Sequence, residues 1–243
     1  MSDVWSVALL LGGIVLLGAS VQRLTGMGFA LVSAPGLVLL LGPAQGVVLS
    51  NFAAGTISAI GLAGSWRRVR LASMLPLVIA AGCTVPLGSW VAERLPEPWL
   101  LSGVGAAVCV AVLFVMRGVQ VPALRARRGA VAAGAASGFM NSSAGVGGPA
   151  VSLYALDAGW TAAEFLPNAQ FYGVVVNILS VASKTPPHLT TPAWTTTTAA
   201  LVAGAGIGRF LAARTPEHRA KTTVLWLALA GGTVTLAKGL WTL

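Results

Sequence analysis

The chain has 243 residues, of which 56% are hydrophobic and 9% are charged, and 15 basic residues against 6 acids give a net charge of +9. Soluble globular proteins carry about 25% charged residues, so this composition excludes an ordinary soluble domain and predicts a protein that lies in a lipid bilayer. The basic residues lie in short segments between apolar stretches, where they report membrane orientation, and this pattern argues against nucleic acid as a partner.

Seven apolar stretches are candidates for membrane-spanning helices, which need about 20 predominantly apolar residues each. They are residues 4–22, 43–66, 71–92, 99–116, 161–183, 194–213 and 224–240. Residues 1–3 contain an acid and no basic residue, so we expect the first stretch to stay in the mature protein instead of acting as a cleaved signal. The sequence predicts an all-α, multi-pass protein of the cell (inner or plasma) membrane.

The first half of the chain begins with a segment, residues 4–41, that is too long for one span. It is interrupted by QRLTGMGF, which runs from Gln22 to Phe29. Irregular backbone is tolerated at membrane depth only where it is buried in protein or lines a watery cavity. We therefore predict a helix that is broken at Gly26 and Gly28.

Two basic segments indicate the cytoplasmic side. Residues 67–70 hold three arginines, and residues 117–128 hold four. Cytoplasmic loops are enriched in Lys and Arg, so we predict that both segments are cytoplasmic. The second segment also divides the chain into a first transmembrane half, residues 1–116, and a second, residues 129–243.

The second half begins as the first does. Residues 129–156 are too few for two full spans and include NSSAGVGGP, which ends at Pro149; we predict paired short helices in both halves. Pro149 suits the first turn of a helix because it lacks an N–H that would be unsatisfied there. Such a helix start presents free N–H groups and the positive end of a dipole, which favour an anion.

Three sequence matches indicate that the halves are duplicates. The matched pairs are residues 88–97 with 208–217, Gly26 and Gly28 with Gly145 and Gly147, and Asn51 with Asn168. A repeat of this length suits the duplicated halves of secondary transporters. The loop charges favour an inverted repeat, while a parallel arrangement of four plus four spans stays open.

Polar residues and glycines at the two interruptions form the predicted binding site for a small anion. The set is Gln22, Arg23, Thr25, Gly26, Gly28, Asn51, Asn141, Ser142, Ser143, Gly145, Gly147, Gly148 and Asn168. Interrupted helices at matching places in two halves point to a transporter's midplane site. The alternative is that these glycines only allow close helix packing.

Arg23 has two interpretations. Buried, it would neutralise an oxyanion with its planar fork of N–H donors. At the membrane surface, it would extend its charged group to water and orient the helix.

Glu164 and Asp157 are the acids near the second interruption. Either could carry a proton for coupling, or lie at a helix start, where acids interact favourably with the dipole. We favour the helix start for both, and the coupling ion, a proton or sodium, stays open.

No metal or cofactor is expected, because neither His188 nor His218 has further ligands at a suitable spacing. An intramembrane hydrolase that used Ser142 or Ser143 would need a nearby base, and both histidines lie in loops. A channel or a membrane subunit of a larger assembly is the other alternative to a permease, and an oligomer is compatible with all three.

The second interruption, SSAGVGGP, followed by an apolar run ending in Tyr154, resembles the TauE/SafE group of sulfite and sulfonate exporters, also known as the toluene-sulfonate uptake permease family. The two similar halves and the glycine-broken first helix extend this resemblance over essentially the whole chain. It implies an inner-membrane permease for small sulfur oxyanions, with both interruptions near the transport path. The first interruption differs, since Arg23, Leu24, Thr25 and Met27 stand where the family often has a denser glycine run.

Overall fold

A computed structural model describes residues 2–26, 28–118, 127–212, 214 and 217–243, and these residues form a helical bundle without strands. The helices of the described chain are α1 (Ser2–Thr25), α2 (Phe29–Leu41), α3 (Pro43–Ala63), α4 (Leu71–Arg94), α5 (Glu97–Met116), α6 (Arg127–Ala144), α7 (Gly148–Asp157), α8 (Ala162–Ala182), α9 (Thr191–Ala212) and α10 (Glu217–Trp241). A short 3-10 turn, Trp66–Arg68, joins α3 to α4.

Five helices of the described chain are long and apolar enough to cross a membrane. They are α1 from Trp5, α3, α4, α5 and α8 from Ala163. The stretches predicted at residues 194–213 and 224–240 lie on α9 and α10, which have 22 and 25 residues. Both are less apolar, because α9 begins with TPAWTTTT and α10 with EHRAK.

The paired helices at the start of each half have different lengths. In the first half, α1 has 24 residues and spans the membrane alone, whereas α2 has 13. In the second half, α6 has 18 residues and α7 has 10. The expectation of two short helices therefore describes the second half better than the first, where α1 is a full span.

Helices that occupy equivalent places in the two halves exchange partners. The first helix of the first half, α1, packs along α9, and its equivalent α6 packs along α4. In the same way α5 packs on α10, and α3 packs on α8. The halves are thus interlocked, while inversion of one half relative to the membrane stays a prediction.

Part of the sequence repeat is explained by close backbone contact. Gly88 lies where α4 meets α6, and Gly208 lies where α9 meets α1. A Cβ at Gly88 would come 2.5 Å from the carbonyl oxygen of Phe139, and one at Gly208 would come 2.7 Å from the Cβ of Arg23. Both distances are shorter than nonbonded atoms allow, so these crossings need glycine.

Candidate functional site

Each half contains a connection between two helices at the predicted interruption. We call the α1–α2 connection the first break and the α6–α7 connection the second break. Gly26 and Gly145 follow the ends of α1 and α6 with φ angles of 83° and 75°, in the left-handed region that favours glycine. Their N–H groups donate to the carbonyls of Gln22 at 2.8 Å and Asn141 at 2.9 Å. The two helix ends therefore have the same cap geometry.

A cavity of ≈ 300 Å³ is lined by residues of both breaks. Predicted site residues on its wall are Gln22, Thr25, Gly26, Gly28, Asn141, Gly147 and Gly148. Further polar side chains there are Ser58, Ser152, Tyr172 and Asn177. Apolar side chains, among them Leu31, Val146 and Phe165, complete the wall. The cavity thus offers hydrogen-bonding groups on one part of its surface and apolar contact on another.

A buried amide side chain projects from each broken helix toward the central pair α3 and α8. Gln22 Nε2 donates to Ser58 Oγ at 2.7 Å. Asn141 Nδ2 donates to Asn177 Oδ1 at 3.1 Å and to Ser180 Oγ at 3.0 Å. Gln22 and Asn141 are 119 positions apart, as are Ser58 and Asn177. The duplicated halves therefore build the same amide contact twice.

Two further amides connect the halves. Asn51 on α3 donates from Nδ2 to the carbonyl oxygen of Asn141 at 3.2 Å. Gln170 on α8 donates from Nε2 to the carbonyl oxygen of Gly26 at 3.0 Å. Each central helix thus holds the end of the broken helix of the other half, and it does so through side chains outside the cavity wall.

The structural counterpart of Asn51 is Gln170, not Asn168 as the sequence match suggested. Asn168 lies off the cavity wall, and its Oδ1 accepts the backbone N–H of Arg70 at 2.8 Å. A helix turns about 100° per residue, so an error of two residues in the match moves a side chain to nearly the opposite face. The correct offset is the 119 residues shared by Gly26 and Gly145.

Arg23 lies behind the first break instead of on the cavity wall. Its Nη1 lies 2.9 Å from the position that a Cβ on Gly61 would take, and Gln170 Oε1 lies 3.0 Å from the same position. Its buried Nε has no hydrogen-bond partner. Arg209 on α9 is the charged residue that acts on it electrostatically. This partly buried position agrees with neither simple interpretation, full burial at the substrate or extension to water.

The hydroxyl groups of Ser142 and Ser143 turn back onto their own helix. Ser142 Oγ donates to the carbonyl of Gly138 at 2.9 Å, and Ser143 Oγ donates to the carbonyl of Phe139 at 2.7 Å. Neither residue lines the cavity, and Gly145 is also off its wall. Of this serine pair, the contact with another element is made by the Ser142 carbonyl, which accepts a hydrogen bond from Lys184 Nζ.

Lys184 follows the end of α8 and is partly buried against α6. Burial lowers the pKa of its ammonium group to about 8, although the nearby carboxylate of Glu93 acts in the opposite direction. The group therefore carries its charge at neutral pH and loses it as the pH rises through about 8.

Glu164 is a helix-capping residue, as expected from its place at a helix start. Thr161 Oγ1 accepts the N–H of Glu164 at 3.3 Å, and Glu164 Oε2 accepts the N–H of Thr161 at 3.0 Å. This is a capping box, and Glu164 also forms an ion pair with Arg70. For Asp157 the expectation was wrong: it is the last residue of α7, and the next helix begins at Ala162. A coupling role for either acid stays a prediction.

Three polar residues on the wall escaped the sequence analysis: Ser58, Tyr172 and Asn177. Each lies within an apolar helix, where one hydroxyl or amide changes the local hydropathy little. The 119-residue offset would have identified Ser58 and Asn177 as a pair, once Gln22 had been matched to Asn141. The Tyr172 hydroxyl lies beside Ser137, a contact between α8 and α6 that no sequence pattern indicates.

Comparison with protein families supplies a direct match. The family model described as Sulfite exporter TauE/SafE matches residues 10–235, a range that reaches from α1 into α10 and contains both breaks. Comparisons with curated proteins and with solved structures gave no match.

Proposed function

We propose that this chain, which belongs to the TauE/SafE family, binds a sulfite or organosulfonate anion in the cavity between its two breaks and carries it across the membrane. Membership of the family makes the chain a multi-pass membrane transporter for sulfite or related anions. The substrate, the use of this cavity and the coupling are the parts we propose.

The cavity wall is the observation that carries this proposal. Ser58 Oγ accepts a hydrogen bond from Gln22 Nε2, which leaves the hydroxyl proton of Ser58 to donate to a ligand. The second proton of the Gln22 amide has only a long contact of 3.5 Å with the carbonyl of Ala54. Gly147 and Gly148 add the N-terminal end of α7, where the helix dipole favours negative charge. An oxyanion accepts hydrogen bonds and donates none, and these groups are suited to it.

The apolar part of the wall suits a carbon chain. A cavity of ≈ 300 Å³ is larger than an inorganic anion of four atoms requires. Leu31, Val146 and Phe165 would contact a short organic group, while the amides and hydroxyls would bind the sulfonate oxygens. We therefore propose small organosulfonates, together with sulfite, as the substrates to test first.

Transport through this cavity requires that it open to the two sides in turn. The chain contains no phosphate-binding loop of the Walker type, so we propose that an ion gradient or the gradient of the anion itself drives transport. Motion of the interlocked helix pairs α1–α9 and α4–α6 around the central pair α3–α8 would expose the cavity alternately.

The test is anion uptake by liposomes that contain the purified protein. Labelled sulfite and methanesulfonate should enter with saturable kinetics and compete with each other. Uptake that does not saturate, with no competition, would instead indicate a channel. No uptake above that of empty liposomes for any sulfur oxyanion would contradict the proposed function.

Replacing Ser58 by alanine removes one donor from the proposed site. We expect the Kd for methanesulfonate to rise about 10-fold, because a hydrogen bond to a charged group contributes about 1.5 kcal/mol. Isothermal titration calorimetry in detergent measures this directly. Thr56→Ala is the matched control, since Thr56 lies on the same helix and its hydroxyl bonds only to the Phe52 carbonyl on the exposed side. Equal affinities for both variants would remove Ser58 from the site.

A further inference from the structure

The described part of the cavity wall carries no charged side chain. A transported anion loses most of its hydration in such a site, and in a medium of low polarity this loss must be compensated by positive charge or oriented dipoles. The breaks supply dipoles of both signs. The start of α7 is favourable to an anion, whereas the carbonyl ends of α1 and α6 carry partial negative charge.

The first half compensates for its helix end within its own sequence. Arg23 lies in the last turn of α1, next to Gln22, whose amide is on the cavity wall. A cation in the last turn of a helix offsets the negative end of the dipole. Its side chain turns away from the cavity, so that it acts on a bound anion through the electrostatic field and without contact.

The second half has no cation in the last turn of α6. The residue 119 positions after Arg23 is Ser142, and it lies next to Asn141, whose amide is on the cavity wall. The ammonium group of Lys184 donates to the carbonyl oxygen of this Ser142. A lysine from beyond the end of α8 therefore places its charge at the position that corresponds to Arg23.

We propose that Lys184 is the second-half counterpart of Arg23: its charge neutralises the carbonyl end of α6 and makes the cavity favourable to anions. This inference rests on the proposed function, because it assigns Lys184 a role in positioning and selecting the same anion. Lys184 is off the cavity wall, so its role is that of a positioning residue that acts through α6 and through the field.

Two consequences separate this role from a purely structural one. The effect of a fixed charge on binding scales with the charge of the ligand, so a dianion must lose more affinity than a monoanion when Lys184 is neutralised. The charge must also disappear as the pH rises through about 8, the pKa of the buried ammonium group. Glu93 of α4 is the charged group that faces Lys184, and the α6 group in contact with it is the uncharged Ser142 carbonyl.

The experiment compares Lys184→Gln, Lys184→Arg and the control Lys238→Gln, which removes an exposed lysine near the end of α10. The probes are sulfate, a dianion, and methanesulfonate, a monoanion, neither of which changes charge near neutral pH. For Lys184→Gln we expect the Kd to rise about fivefold for methanesulfonate and about 25-fold for sulfate, the square of the first factor. Lys184→Arg should stay near wild type, as should Lys238→Gln.

The pH profile keeps the inference testable if Lys184→Gln does not fold. Wild-type affinity for sulfate should fall as the pH rises through about 8, whereas the Lys184→Arg protein should keep its affinity because arginine stays protonated. An equal loss for both probes, or the same pH profile in wild type and Lys184→Arg, would overturn the inference while leaving the proposed function intact. Wild-type protein that binds neither these probes nor sulfite would overturn the proposed function, and this inference with it.

Discussion

Replacement of Asn141 by aspartate is expected to weaken anion binding about 100-fold or more. Asn141 lies on the cavity wall at the end of α6, and the substitution puts a carboxylate there in place of an amide of nearly equal shape. Two unit charges about 4 Å apart repel each other by about 4 kcal/mol at the effective dielectric constant of a protein, which exceeds the contribution of any single hydrogen bond. Calorimetry with methanesulfonate measures the loss.

Gln45→Glu is the matched control for this substitution. It makes the same change of amide to carboxylate at a position off the cavity wall, and the retained oxygen can still accept the backbone N–H of His188, now at 2.8 Å. The neutral variant Asn141→Ser separates the added charge from the loss of the hydrogen bonds to Asn177 and Ser180. If Asn141→Asp binds methanesulfonate as well as Gln45→Glu does, the anion does not occupy this cavity.

Replacement of Gly88 by alanine is expected to destabilise the protein by about 3 kcal/mol, the upper part of the range for overpacked positions. The added methyl group would lie 2.5 Å from the Phe139 carbonyl oxygen and in contact with Ser142 Oγ, so α4 and α6 would have to separate. The second break lies directly after this part of α6, and its geometry would change with the helix. Thermal unfolding in detergent, followed by tryptophan fluorescence, measures the effect.

Gly103→Ala is the control for the helix-packing effect, because no atom lies within 4 Å of the Cβ that it would add on α5. In this open position alanine should leave the midpoint unchanged or raise it slightly, since alanine favours helix more than glycine does. Gly208→Ala should resemble Gly88→Ala, because Gly208 makes the equivalent close contact between α9 and α1. A Gly88→Ala protein as stable as Gly103→Ala would show that the α4–α6 contact is looser than described.

The general class of this protein follows from its sequence for local reasons. Hydropathy depends on composition over about 20 residues, so the apolar stretches predicted the membrane helices α1, α3, α4, α5 and α8. Family membership is likewise carried by the chain itself, through residues 10–235. The 119-residue offset between Gly26 and Gly145 was also visible in the sequence, and the helices α1 and α6 end directly before these glycines.

The composition of the candidate site required the tertiary structure. Whether a side chain faces the cavity depends on the rotation of its helix, about 100° per residue, and on which helix packs against it. Gln22 and Arg23 are neighbours in sequence, yet Gln22 is on the cavity wall and Arg23 is behind it. Both positions follow from the packing of α1 against α9 and α3, which local sequence does not specify.

Contacts between distant segments separate the two levels most clearly. Lys184 and Ser142 are 42 positions apart, and Asn51 and Asn141 are 90 positions apart. No local pattern predicts such pairs, because each depends on the exchange of helices between the halves. The sequence by itself determined that the chain is a helical transporter of the TauE/SafE family with matched glycines. The tertiary structure alone decided which amides, hydroxyls and cations surround the cavity, because packing sets the direction of each side chain.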